Sequence, residues 1–295
     1  MDLPAGQLAT LLAIAEQGTF DAAARTLSIT PSAVSQRVRA LEAAVGQVVV
    51  QRTTPCRPTA AGEVLLRLAR QYRLLGAETW AALDDGGAPT GLAVAVNADS
   101  LATWFRQVIT EVAQWDGVAL RIHVEDQAFS ADLLRRGEVL AAITSDPTPV
   151  QGCRVTALGA MRYRPAAAPT YAERWRRGRG HDWDRMPVIR LNEKDDLQHD
   201  LLAARGVGDP PVVHRVPTSD DFLEAVRRGL GWGLLPEHQL LPGLRDGSLV
   251  RLSGGYRVDV PLHWLRWRLD SPALARLGDA VMTVAGRELR PATQE

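Results

Sequence analysis

Ser32, Ser35, Gln36 and Arg39 are spaced so that a helix turning 100° per residue carries them on one side, while Val34, Val38, Leu41 and Val45 fill a narrow apolar sector on the other. Short hydroxyl, amide and guanidinium groups on a helix anchored by its apolar face can hydrogen-bond to base-pair edges in a DNA major groove. A glutamine can take N6 and N7 of adenine, and an arginine O6 and N7 of guanine, each pair worth about 1–3 kcal/mol in discrimination. A solvated amphipathic helix would show the same pattern, so the neighbouring residues must decide between the two.

Those neighbours form a compact helical unit. Leu8, Leu11, Leu12 and Ala15 make an apolar stripe over 3–17 that Gly18 ends, and Thr19 caps a short alanine-rich helix through residues 21–27. Thr30 is a good N-cap and Pro31 suits the first helical position, so the third helix starts sharply. After Gly46, the β-rich patch at Val48, Val49 and Val50 leads into Gln51-Arg52-Thr53-Thr54-Pro55-Cys56-Arg57-Pro58, which reads as a two-stranded wing. Arg52 and Arg57 can pair there with phosphates, which set position and salt dependence rather than sequence preference. The DNA-contacting set is Thr30, Pro31, Ser32, Ser35, Gln36, Arg37, Arg39, Arg52 and Arg57.

Composition bounds the rest. The chain has 295 residues, 46% hydrophobic and 23% charged, which suits a globular protein of two or more packing units. Its 34 basic and 34 acidic side chains cancel, so a nucleic-acid surface must come from local segregation of charge. Cys56 and Cys153 are far apart and make neither a disulfide framework nor a zinc motif, and no run approaches the roughly 18 apolar residues of a membrane span; a cytoplasmic protein is expected. The six histidines show no His-Glu-x-x-His spacing, and neither a Gly-x-Ser-x-Gly elbow nor a phosphate-cradling glycine loop is present, so catalysis, a metal and a cofactor are not expected.

Asp84-Asp85-Gly86-Gly87-Ala88-Pro89 divides the chain. Before it, Thr59 caps a long helix to about Leu83 with Leu65, Leu68, Tyr72, Leu75, Thr79 and Ala82 in steps of three and four, a seam suited to pairing with a second copy, centred on Leu65, Leu68, Tyr72 and Leu75. After it, strands near 92–96, 119–124, 139–144, 187–191, 212–216 and 231–235 alternate with helices near 101–114, 130–136, 196–204 and 219–228, an α/β pattern. Helix–Gly–strand recurs at Gly137 and Gly229; this is common in any α/β fold, and the alternative is two similar lobes facing a cleft.

The run over 19–42 resembles the DNA-binding helix-turn-helix of LysR-type transcriptional regulators. Continuing through Pro55-Cys56-Arg57-Pro58-Thr59-Ala60-Ala61-Gly62, it resembles the subgroup that regulates arginine and lysine export, from which Val49 is a mild departure affecting wing packing. Further similar runs, among them Val96-Asn97-Ala98-Asp99-Ser100, Met161-Arg162-Tyr163 and Gly231-Trp232-Gly233-Leu234-Leu235-Pro236, extend the resemblance over nearly the whole chain. It implies a winged helix-turn-helix at 1–58, a linker and dimerisation helix with hinge at 59–90, and a two-lobed periplasmic-binding-protein-like effector domain at 91–295, with lobe I at 91–163 and 267–295 and lobe II at 164–266. It also implies a homodimer or tetramer on operator DNA, RNA polymerase as partner, an amino-acid exporter gene as target and a basic amino acid, L-lysine or L-arginine, as effector. A transport-associated solute-binding protein would fit the distal part alone, but would need a secretory signal and would lack residues 1–83.

Ligands of open α/β sheets sit at the carboxyl ends of strands. Ser100 follows the first strand at a helix N-terminus, where a hydroxyl and free N–H groups favour a carboxylate, and Thr103 lies one turn on. Asp126 and Asp146 supply negative charge for an ammonium or guanidinium, and Thr144, Asn192 and Thr218 neutral contacts. Lys194, Asp195 and Asp196 read as a surface cluster, with the entrance of the second lobe as the alternative.

Overall fold

A computed structural model describes residues 3–83, 89–124, 127–193, 195–208 and 210–291, with the side chains of 127–129 excepted. The amino-terminal unit comprises α1 (Ala5–Gln17), α2 (Phe20–Thr26) and α3 (Pro31–Val45), followed by antiparallel strands β1 (Val50–Gln51) and β2 (Arg57–Pro58). Local signals set each boundary: the Thr19 hydroxyl accepts from the Ala22 amide at 3.2 Å, the Thr30 hydroxyl from the Ala33 amide at 3.1 Å, and Gly18 closes α1 in the left-handed region. Leu8, Leu11 and Ile14 of α1, Ala23 and Ala24 of α2 and Val34, Val38 and Leu41 of α3 form one buried core. The wing is shorter than the β-rich patch foretold, because Val48 is exposed while Val49 packs inward.

α4 (Ala60–Leu83) starts where the Thr59 hydroxyl accepts from the Gly62 amide at 3.1 Å. Gly62 lies directly against the Val49 carbonyl and leaves no room for a Cβ. The first half of α4 packs on α1, so Leu65 is buried in the amino-terminal core with Leu66 and Ala69, and Leu68 is packed against it. This corrects the seam expected from periodicity: Leu65 faces its own chain, and the apolar residues left in solvent are Val64, Tyr72, Leu75, Trp80 and Leu83. Farther along, Leu74 is buried in the core of the distal half, and Glu78 Oε1 accepts from the Ser271 hydroxyl at 2.7 Å and the Ala273 amide at 3.0 Å.

The distal half runs β3 (Thr90–Val96), α5 (Ala98–Ala102), α6 (Phe105–Val112), β4 (Val118–Val124), α7 (Gln127–Arg136), β5 (Ala141–Thr144), β6 (Cys153–Ala167), α8 (Pro169–Arg174), β7 (Arg176–Arg177), β8 (Gly180–His181), β9 (Val188–Arg190), α9 (Leu197–Ala203), β10 (Val213–Arg215), α10 (Ser219–Arg227), β11 (Gly233–Pro236), α11 (Glu237–Arg245), β12 (Val250–Arg251), β13 (Val258–Trp267) and α12 (Pro272–Glu288). The main sheet has the order β11-β6-β13-β5-β3-β4, with β12 also beside β6 and the parallel pair β9/β10 joined through a bridge between Val188 and Trp232. β3 is parallel to β4 and β5, whereas β13 is antiparallel to β5 and β6. This is an α/β fold of two lobes behind a winged helix-turn-helix. Fifteen residues of β6 at about 3.3 Å each span about 50 Å, enough to run through both lobes.

All six strands read from hydrophobic runs are present, but the helix expected over 101–114 is two helices, broken at Thr103, whose backbone leaves the helical region. His263–Arg266 already pair with Ala141–Thr144, so the return crossing into the first lobe lies before residue 263 rather than at 267. Gly137 and Gly229 both adopt φ near +70° after a helix, as the internal echo required.

Candidate functional site

On α3, Val34, Val38 and Leu41 have no solvent exposure, while Ser32, Gln36 and Arg39 are exposed and Ser35 half-buried. The Thr30 and Ser32 hydroxyls lie 2.8 Å apart at the start of the helix. The polar groups are therefore held together at the amino-terminal end of a rigidly seated helix. Arg37 differs from the rest of the expected set: it is half-buried and reaches back to the Thr10 hydroxyl of α1 at 3.4 Å, away from the exposed face. Arg57 is exposed on the wing, and the guanidinium of Arg52 lies over the Phe20 ring at 4.9 Å, so the ring fixes its direction.

Between the lobes lies a cavity of about 360 Å³, lined on one side by Asn97, Asp99 and Ser145 and on the other by Asn192, Asp195, Asp196, Asp200 and Gln239, with Tyr163 from the crossing strand β6. Asp99 Oδ1 accepts from the Ser219 hydroxyl at 2.6 Å and Oδ2 from the Tyr163 hydroxyl at 2.8 Å; Ser219 in turn accepts from Gln239 Nε2 at 3.0 Å. Burial holds the Asp99 carboxyl above the usual carboxylate range, partly offset by those two hydroxyls. Burial raises Asp195 as well, the Leu191 amide lowers it, and the Asp99 charge raises it further. Burial also pushes the Tyr163 hydroxyl up, so it remains a donor. Among the described residues, the side-chain oxygens Asn97 Oδ1 and Gln239 Oε1 are buried without a hydrogen-bond partner. Four carboxylates, of which Asp196 is already paired with Arg190 at 2.7 Å, and two unused acceptors around one small space can receive a compact cation with several N–H groups.

Only Asn192 of the expected effector residues lines this cavity. Ser100 is fully buried and accepts from Trp104 Nε1 at 3.0 Å; Thr103 donates to the Asp99 carbonyl; Thr144 is buried and accepts from the Asp146 amide. Asp146 accepts from the Thr148 amide at 2.9 Å in a local turn, its pKa lowered by the Thr148 hydroxyl first and by that amide second, and Thr218 caps α10 through Asp221. Asp126 and Lys194 lie outside the described residues. Asp195 and Asp196 line the cavity, in keeping with the second-lobe entrance named as the alternative to a surface cluster, and Asp196 is exposed there and paired with Arg190.

Residues 5–63 match the bacterial regulatory helix-turn-helix protein, lysR family, and residues 85–286 match the LysR substrate binding domain. The chain belongs to the LysR family of transcriptional regulators. It is 49% identical to the lysine export transcriptional regulatory protein LysG of Corynebacterium glutamicum, over 97% of this chain and 99% of that one. Among solved structures it is similar to full-length LysG from the same organism with bound effector Arg, at 47% identity and a TM-score of 0.83 over 98% of this chain and 100% of that one. It is also similar to ArgP from Mycobacterium tuberculosis, at 44% identity and a TM-score of 0.89 over the same shares. These LysR-family relatives are regulators of transcription.

Three of the cavity residues that sequence reasoning missed in this LysR-family chain sit beside a residue it chose or within a run it quoted, whereas Asp200 and Gln239 carried no such signal. Ser145 follows Thr144, and successive side chains of an extended strand point to opposite faces, so a one-residue error exchanges core for cleft. Asp99 precedes Ser100 in the first turn of a helix, and Tyr163 ends a run that carried the resemblance.

Proposed function

We propose that this LysR-family protein is a cytoplasmic DNA-binding regulator that takes L-arginine or L-lysine into the interlobe cavity and controls an amino-acid exporter gene. The observation that carries the reading is the cavity: four aspartates around about 360 Å³, near the lower end of the about 300–1,000 Å³ range of ligand pockets, suit one basic amino acid better than a peptide or a nucleotide. That the similar LysG structure holds arginine supports it. The units are 1–58 for DNA, 59–90 for the linker and pairing helix, and 91–295 for the effector; no helix among the described residues is long and apolar enough to cross a membrane.

DNA contacts are assigned to Thr30, Pro31, Ser32, Ser35, Gln36 and Arg39 on α3 and to Arg52 and Arg57 on the wing. Tyr72, Leu75, Trp80 and Leu83, exposed along α4, form the pairing face of a homodimer, and such dimers can associate further on two-fold-related half-sites. The effector acts by population shift, which needs a coupling of about 1–3 kcal/mol, and RNA polymerase is the downstream partner. Calorimetry with arginine, lysine and the uncharged isostere citrulline, paired with binding to the intergenic DNA upstream of its own gene, tests this. Arginine or lysine should bind at least tenfold more tightly than citrulline and alter DNA binding; equal affinity for citrulline would overturn the reading.

A further inference from the structure

Behind the effector cavity lies a second one of about 330 Å³, walled by α6 of the first lobe, α10 and α11 of the second, and Glu288 at the end of α12. Most of its charge is already matched. Arg106 Nη2 donates to both carboxylate oxygens of Asp220, at 3.1 and 2.8 Å; Glu288 accepts from Gln107 Nε2 at 2.7 Å and lies 3.3 Å from His238 Nε2. Arg227 is the exception. Asp246 feels its charge without touching it, and among the described residues its guanidinium has neither an ion pair nor a hydrogen-bond partner, with Nε buried. His238 Nδ1 is likewise buried and unpartnered.

We infer that this second cavity binds a small anion, a carboxylate or a phosphate, on Arg227. Arg227 is half-buried, and its buried Nε–H is a donor that a ligand oxygen entering the cavity can match, a planar guanidinium being the side chain best shaped to take one. The site is coupled to the first. Gln239 lines both cavities, and its amide holds Ser219, whose hydroxyl donates to Asp99. An anion that shifts Gln239 therefore changes the polar contacts around Asp99, and reciprocity requires the effector to change anion affinity by the same factor. The coupling rests on the amino-acid reading above; anion binding itself does not.

Titration of the full-length protein with sodium acetate and with inorganic phosphate, at constant ionic strength and without effector, tests the site. At least one should saturate at one per chain with millimolar affinity. Arg227→Gln, and separately Leu223→Trp, which fills the cavity, should weaken it at least tenfold, while Arg227→Gln leaves arginine affinity measured without anion within twofold. Saturation by acetate alone would identify carboxylate ligands, and by phosphate alone phosphorylated ones. Binding of neither anion, or equal binding by the parent and both variants, would overturn the site. Saturating anion should shift arginine affinity at least about fivefold; anion binding with no such shift would overturn the coupling.

Discussion

The carboxylate of Asp99, in the first lobe, accepts a hydrogen bond from the hydroxyl of Ser219, in the second, at 2.6 Å. A single acidic side chain thus both faces the effector cavity and ties the two lobes together. Asp99→Asn keeps an acceptor for one of the two hydroxyls, its amide N–H can donate to the oxygen of the other, and the charge is removed. Arginine affinity should fall about 100-fold or more, since loss of one partner of a buried charge pair costs about 3–5 kcal/mol. The pKa of Asp99 is raised in the folded protein, so ionising it opposes folding: the penalty is absent below the unfolded pKa and full above the folded one. At neutral pH the effector-free variant should therefore melt higher than the parent; a lower melting temperature by calorimetry would refute this account of the carboxylate.

Asp99 and Asp195 both bind protons more tightly than free carboxylates because burial disfavours their charge, and a cationic effector requires them ionised. Arginine affinity should rise with pH above the ordinary carboxylate range and level off once both are charged. Isothermal titrations from the ordinary carboxylate range upward should show proton release on binding at the acidic end, with affinity changing by at most about tenfold per proton and pH unit. A flat profile with no proton release would exclude these two groups.

On the DNA side, contacts with bases and with phosphates separate experimentally. Gln36→Ala should reduce discrimination at one base pair by about 1–3 kcal/mol. Arg52→Ala should weaken all sequences alike and lower the salt slope of binding by about one. Arg37→Ala should leave sequence preference intact, because this guanidinium is held against α1 at Thr10. Fluorescence anisotropy on operator and scrambled duplexes distinguishes the three, and unchanged preference in Gln36→Ala would remove that side chain from base readout.

Two buried leucines, Leu41 of α3 and Leu65 of α4, should behave unlike the exposed Tyr72 and Leu75. Leu41→Ala and Leu65→Ala empty the amino-terminal core and should cost about 2–5 kcal/mol of stability. Tyr72→Asp combined with Leu75→Asp, at exposed positions, should leave the melting of the individual chain nearly unchanged while lowering the oligomeric state by analytical ultracentrifugation. An unaltered sedimentation coefficient would move the pairing face elsewhere.

Legibility followed locality. The helix-turn-helix could be read residue by residue because its caps, its proline and its apolar sector are set within a few positions of each other, and Thr19, Thr30 and Pro31 stand where their chemistry demands. The effector cavity could be placed at strand ends but not populated. Its walls meet only after β6 and β13 pair over ten positions, across about a hundred residues of chain, and hydroxyls such as Ser100 and Thr144 satisfy backbone or indole partners instead of a ligand. Leu65 fits the seam by spacing but not by contact, for a related reason: heptad spacing reports that a stripe is apolar, not whether α1 or a second chain covers it.

The anchoring of Glu78 to the first turn of α12 makes a mechanical lever. The 24 residues of α4 at 1.5 Å per residue form a rod about 36 Å long. Pivoted at Glu78, the arm of about 27 Å back to Ala60 needs a tilt of only about 7° to carry its other end through about 3.4 Å, the rise of one base-pair step. A movement of one lobe too small to disturb its own core could thus slide a reading head by a whole letter along its text.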